Sequence, residues 1–236
     1  MSGFVFNNLN QKIGLSLMDW KPAQIPSLEI IEGKYCRLER LNPKVHGHDL
    51  FEANILDKEG KNWTYLFYGP FDDYQKYLNW LEEVAAKPDP YFYSIIDTKT
   101  KKAAGLASLM RIDPAIGSIE VGHLNFSPLL QKKIAATEAM YLLMKYSFEL
   151  GYRRYEWKCD HLNQPSREAA LRLGFKYEGT FRQATIYKGR SRDTDWFSII
   201  DSEWPKLQLA FESWLSKDNF TQDQKQKRSL RELTKI

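Results

Sequence analysis

The chain has 236 residues, 43% of them hydrophobic, 27% charged and 14% aromatic, which is a globular profile with enough apolar material for a sizeable core. Its 34 basic and 30 acidic residues leave a formal charge of +4. That charge suits an anionic ligand but falls short of a nucleic-acid-binding surface. No apolar run reaches the ~18 residues a membrane span needs, and the stretch 1–12 lacks the basic start and apolar core of a secretory leader. Cys36 and Cys159 stand far apart without ligand-like neighbours, so neither a disulfide framework nor a metal site is expected, and a reducing, cytoplasmic setting is.

Residues 1–32 carry Pro22 and Pro26 and no clear periodicity, which predicts an N-terminal extension that wraps or frays. A strand is predicted over 34–41, and Pro43 then opens a short helix through Asn54. Asp72 is a plausible N-cap for a helix to Ala86 whose apolar positions Tyr77, Leu78, Leu81 and Val84 keep helical spacing. Strands follow over 91–97, 103–112 and 118–126, separated by the turn signals DTKTKK and DPAIG. The clearest helix is 133–150, with Ala139, Leu142, Leu143, Tyr146 and Leu150 on one stripe and Gly151 as its stop. A strand over 154–160, a helix over 165–173, two strands over 175–187 and 192–201 about the turn KGRS, and an amphipathic helix over 203–215 complete the domain, 33–216. Residues 217–236 read as a charged C-terminal tail, solvated or forming a short surface helix; a nucleic-acid patch is the weaker reading of KQKRSLRELTK. The order of elements implies an α/β fold, a mixed sheet with helices on both faces.

The strand 118–126 runs through Ser127-Pro128 into a helix that opens near Gln131, Lys132 and Lys133. A helix N-terminus presents free N–H groups and a positive dipole end, and two lysines add charge, so this junction is a candidate diphosphate site. On the strand itself, Glu120 and His123 are candidate bases. An ideal strand puts residues three apart on opposite faces, so both can serve one pocket only if a β-bulge intervenes.

From about Glu32 to Pro205 the sequence resembles the GNAT N-acetyltransferases, and within them the branch named for the ribosomal-protein alanine acetyltransferases. The resemblance rests on IEVGH on a strand, AATEA on the next helix, EWKCD on the next strand, NQPSREAALRLGF and RSRDTDWFSI, in that order, with YLFYGPFDDYQKYL upstream. It implies a mostly antiparallel central sheet of about seven strands with a splayed parallel pair, 118–126 and 154–160, between which acetyl-CoA binds. It further implies that the backbone of Leu124, Asn125 and Phe126 bonds the pantetheine. The pyrophosphate would lie on the turn Gln131, Lys132, Lys133, Ile134, Ala135, Ala136, Thr137, and Asn163 of an Asn-x-x-Ser motif would contact the cofactor. Ile134 stands where the family usually has glycine, so its branched side chain must point away from the phosphates.

The activity implied is transfer of an acetyl group to a primary amine, a protein N-terminus or a small molecule, by direct attack in a ternary complex. Glu120 matches the glutamate of the family's motif and is favoured as base, with a structural carboxylate as the competing reading; His123 is the other base candidate or a half-buried structural histidine. The family's tyrosine acid falls at Ala170, which leaves Ser166 as the candidate donor; helix capping is the competing role for Asn163 and Ser166. Trp63, Tyr65, Phe67, Tyr68 and Phe71, with Tyr74, are expected in the acceptor wall, or packed on the core, and Arg182, Arg192 and Asp193 of the final hairpin near it. Arg192 and Asp193 would equally make an internal ion pair. A monomer or homodimer without membrane or nucleic-acid partners is expected. The alternative is a catalytically silent GNAT domain that binds CoA or a protein partner.

Overall fold

The computed structural model describes residues 3–223 and 225–234. Its centre is an eight-stranded sheet in the order β3 (Ile30–Glu32), β4 (Cys36–Arg40), β5 (Tyr91–Asp97), β6 (Ala103–Asp113), β7 (Ser118–Phe126), β8 (Arg154–Asp160), β10 (Arg190–Ile200), β9 (Lys176–Tyr187). Every neighbouring pair is antiparallel except β7–β8. The strand beyond the expected seven is β3, three residues inside the stretch read as an extension; it adds to the edge of β4. Further upstream, β1 (Phe4–Phe6) and β2 (Lys12–Gly14) form a separate hairpin whose six residues are all exposed.

One face of the sheet carries α1 (Pro43–Asn54) and α2 (Tyr74–Ala85), whose Leu50, Tyr77 and Leu81 share a core with Phe92 of β5 and Leu106 of β6. Asn42 caps α1 by accepting from the Lys44 N–H. Asp73, one residue beyond the expected Asp72, caps α2 through the Lys76 N–H, while Asp72 pairs with the Lys76 ammonium. The opposite face carries α3 (Ile134–Glu149), α4 (Gln164–Arg172) and α5 (Trp204–Leu215), packed on Tyr93, Ile119, Val121, Tyr155 and Phe197. α3 buries far more than the one apolar stripe read from its sequence, because it lies between the sheet and α5, where Tyr141 stacks on Phe211 and Phe148 on Trp204.

That central position explains a residue whose role the sequence hides. Glu138 is 4% exposed, and its two carboxylate oxygens accept from the backbone N–H groups of Lys34 (2.9 Å), Tyr35 (2.6 Å) and Cys36 (2.8 Å). It pins the start of β4 to the helix. Gly33 makes room for it: a methyl group there would stand 2.6 Å from the Cys36 carbonyl oxygen and 2.7 Å from the Glu138 carboxylate.

The charged stretch after 216 folds back on the body. Leu230, at the start of α6 (Leu230–Thr234), is 1% exposed in the same core, and Asn219 bonds the backbone of Trp214 and Arg228. Lys225, Lys227, Arg228 and Arg231 stay exposed around that anchor. Among the described residues no helix is long and apolar enough to cross a membrane.

Two irregularities shape the functional end of the sheet. β7 and β8 pair only from Ser118↔Arg154 to Val121↔Trp157, then part. On its other side β7 slips against β6: Ser108 faces Gly122 but Leu106 faces Asn125, so two steps on β6 oppose three on β7. The extra residue is His123, which takes the left-handed φ of 50° typical of a bulge.

Candidate active site

The parting of β7 and β8 opens a cleft of about 470 Å³, lined by β7, β8, the start of α4, the segment between α1 and α2, and Arg192 of β10. The bulge turns both Glu120 and His123 to this cleft. Glu120 is 6% exposed, and its Oε2 accepts from Lys158 Nζ at 2.8 Å with Arg111 Nε at 3.4 Å. Lys158 also donates to Glu156 at 2.8 Å and sits 3.7 Å from the centre of the Trp196 ring. Burial raises the Glu120 carboxyl above its ordinary value; the two cations oppose that rise without cancelling it. His123 moves the other way, lowered by burial to about 4. Its Nδ1 lies 3.1 Å from the Tyr68 hydroxyl, and its ring stacks on Tyr68. Of the two base candidates, burial therefore makes the carboxylate more basic and the imidazole less so.

Beyond Val121 the β8-facing edge of β7 is open. Ser127 N–H donates to the Ala104 carbonyl, which fixes the alternation along this strand. The backbone groups of Leu124 and Phe126 face the gap, whereas those of Asn125 face Leu106 of β6. The expected pantetheine contact by the Asn125 backbone is thus corrected: strand alternation commits it to the sheet. The Asn125 side chain is buried with neither polar atom partnered. The Phe126 carbonyl accepts from Asn62 Nδ2 (3.2 Å) and Gln131 Nε2 (2.8 Å).

At the α3 N-terminus, Lys133 is the N-cap with no side-chain bond, so the N–H groups of Ile134, Ala135 and Ala136 have no earlier helical carbonyl to meet. Lys132 takes a left-handed φ of 59°, while Ile134 is helical and packs its side chain against the core. The strained position is thus the lysine and not the isoleucine. Lys132 and Lys133 are exposed, Ala135, Ala136 and Thr137 are buried, and Arg172 of α4 donates to the Thr137 hydroxyl at 3.2 Å.

Asn163 and Ser166 both line the cleft and both serve the helix: Asn163 Oδ1 accepts from the Ser166 N–H at 3.2 Å. The Ser166 hydroxyl accepts from Trp157 Nε1 at 3.1 Å and keeps its own proton to donate, with the buried Cys159 sulfur as a neighbour able to take that bond. Ala170 is fully buried, so its position does not reach the cleft.

The aromatic segment divides. Tyr65 and Phe67 line the cleft, with the Tyr65 hydroxyl donating to the Leu162 carbonyl at 3.1 Å. Tyr68 stands behind His123, while Trp63 and Phe71 pack in the α1–α2 core and Tyr74 packs on Phe51, so these three are removed from the acceptor wall. Arg182 is also removed. Between Thr185↔Arg192 and Phe181↔Thr194, four steps on β9 oppose two on β10, and this bulge throws Arg182 outward beside Gln183 and Asp193. Arg192 is the arginine in the cleft. It forms no ion pair with Asp193, whose Oδ1 accepts from the Gln183 N–H at 2.7 Å. Lys158 was not singled out from the sequence; its alternation with Glu156 on one strand face, opposite Glu120, was the available signal.

A family model described as an acetyltransferase (GNAT) domain matches residues 39–176. The crystal structure of a GCN5-related N-acetyltransferase from Brucella melitensis superposes with a TM-score of 0.91 at 46% identity, covering 93% of this chain and 100% of that one. An uncharacterized N-acetyltransferase, p20, of Bacillus licheniformis is 28% identical over 144 residues, 59% of this chain and 80% of that protein. The ribosomal-protein-serine acetyltransferase of Escherichia coli is 27% identical over 158 residues, 61% of this chain and 84% of that protein. The open strand pair, the bulge beside it and these matches agree, and the chain belongs to the GNAT acetyltransferase family.

Proposed function

We propose that the protein is an acetyl-CoA-dependent N-acetyltransferase acting on a primary amine. The observation that carries this reading is the gap between β7 and β8, where the backbone of Leu124 and the N–H of Phe126 are open to an extended ligand beside two titratable side chains, the Phe126 carbonyl being held by Asn62 and Gln131. The residues present fit the donor. The N–H groups of Ile134, Ala135 and Ala136, met by no earlier helical carbonyl and no capping side chain, suit a diphosphate, with Lys132 and Lys133 adding charge, and the Ile134 side chain packs against the core. Bound there, acetyl-CoA supplies an electrophilic thioester carbon.

Attack requires the neutral amine, because an ammonium has no lone pair. Glu120 takes the proton that leaves nitrogen as the N–C bond forms, directly or through one water, and its raised pKa makes it a better acceptor than an ordinary carboxylate. Lys158 holds the carboxylate in place. As the C–S bond breaks, Ser166 relays a proton to the sulfur and takes up in turn, through water, the proton that Glu120 accepted, so that the hydroxyl and the carboxylate are both restored; the Trp157 indole holds that hydroxyl in place. His123, neutral above about pH 4, shapes the bulge and is bonded to Tyr68. Asn163 steadies the α4 end of the cleft.

The test is a thiol-release assay over a panel of amines, run beside calorimetric titration of acetyl-CoA. Saturable binding with amine-dependent thiol release supports the enzyme; binding without release for any amine supports a CoA-binding module instead.

A further inference from the structure

The cleft holds a charge that the reaction above does not use. Arg192 is 8% exposed, lines the cleft, and has no carboxylate partner among the described residues. Its Nε is buried without a hydrogen-bond partner. The carbon of its guanidinium lies 5.4 Å from the centre of Phe67 and 5.8 Å from that of Tyr187, so aromatic rings are its neighbours. The cleft's own carboxylates are committed elsewhere. Asp160 accepts from the Tyr187 hydroxyl at 2.9 Å and from the Leu162 N–H at 2.8 Å, and Glu120 is held by Lys158. A buried, unpaired cation is costly, and a guanidinium presents a planar fork of donors matched to an oxyanion.

We infer that Arg192 is the specificity residue of the acceptor site and that the acceptor is a small amine bearing an oxyanion, a carboxylate or a phosphate. The inference rests on the N-acetyltransferase reading and names its substrate class. The amine end meets Glu120 and the anionic end meets Arg192, with the apolar body along Phe67 and Met110. Two ties join the segment between α1 and α2 to the elements facing it: Tyr65 to the Leu162 carbonyl, and Lys188 Nζ to the Trp63 carbonyl at 2.7 Å.

The experiment has two arms on the full chain, with Arg192→Met and, should that variant fold poorly, Arg192→Gln. In the first, melting temperature is followed while succinate or inorganic phosphate is titrated, with no acetyl-CoA present. The wild type is stabilised by at least one of the two dianions and Arg192→Met by neither; the dianion that acts tells carboxylate from phosphate recognition. No stabilisation of the wild type, or an equal response in the variant, overturns the inference. In the second arm, matched amines are compared in the thiol-release assay: an amino acid, its carboxamide, the corresponding amino phosphate, and a tetrapeptide. The wild type prefers the anionic small amine over the neutral one by ~10–100-fold in kcat/KM, the size expected for a charge-assisted pair, and the preference falls toward unity in the variant through KM. A tetrapeptide turned over faster than the small anionic amine overturns the size assignment. Acetyl-CoA affinity weakened in Arg192→Met as much as succinate affinity would assign the anion to the donor and overturn the acceptor reading. If the wild type binds no acetyl-CoA at all, the enzyme reading fails, while the dianion arm still reports on Arg192.

Discussion

Glu138 and Arg192 are both charged, both buried, and opposite in what surrounds them. Glu138 meets three backbone N–H groups within 2.9 Å, so its lone pairs are occupied and the helix is locked to the start of β4. Arg192 meets two aromatic rings and no acceptor. The first arrangement is complete without any other molecule. The second is incomplete, and so is the buried Asn125 side chain of β7. A buried polar group whose bonds are all made within the chain serves the fold; one left open toward a cleft is a candidate for meeting something that enters it. Glu120 lies between these extremes, with one oxygen held by Lys158 in a cleft it also lines.

Perturbing both kinds of residue tests this contrast. The largest effect is expected from Glu120→Gln, which removes the proton acceptor and lowers kcat/KM by ~10²–10⁴-fold, with melting temperature changed little. A variant that lost stability instead of turnover would move Glu120 to the structural side. Glu138→Ala is expected to do the reverse. It leaves three buried N–H groups without a partner and costs about 3 kcal/mol in denaturant unfolding, while the pH profile of any folded fraction keeps its shape. Replacing both Lys132 and Lys133 by alanine should weaken acetyl-CoA binding about tenfold and flatten its salt dependence, since two exposed charges act over screened distances.

Lys158→Met gives a smaller effect, read as a shift. Glu120 faces Lys158, Arg111 and Glu156. Removing the lysine takes away a charge that favours the carboxylate and leaves a like charge beside it, so the Glu120 pKa rises further. A base works only when deprotonated, so the acidic limb of the kcat/KM profile should move to higher pH. An unmoved limb would mean that Glu120 is not the titrating base. His123→Gln should change turnover least and leave that limb in place, because the imidazole is neutral above about pH 4.

Most of the fold was legible because its signals are local. Pro43, Gly151 and the turns DTKTKK and DPAIG bound their elements near where the structure ends them, and strands 91–97, 118–126 and 154–160 match to the residue. What the sequence hid depends on distant partners. β3 exists because β4 offers an edge, and Glu138 has its role because residues 34–36, about a hundred positions away, present their N–H groups to it. The site was half legible for the same reason. Period-two alternation sends Glu120 and His123 to opposite faces; only the slip against β6 brings them together. A second slip, between β9 and β10, decides that Arg192 and not Arg182 reaches the cleft. The aromatic segment 63–74 carried no periodicity to separate Tyr65 and Phe67, which line the cleft, from Trp63 and Phe71, which pack in the α1–α2 core; that division depends on tertiary partners.

The most direct test of the account is calorimetric titration of acetyl-CoA into the full chain at moderate salt, beside the Lys132→Ala/Lys133→Ala variant. The account predicts one saturable site of micromolar affinity, weakened in the variant, which would put the donor on the α3 N-terminus beside the open strand pair. No heat at any workable concentration, together with no thermal shift, would mean that the isoleucine at 134 has closed the phosphate site, and would contradict the proposed acetyltransferase.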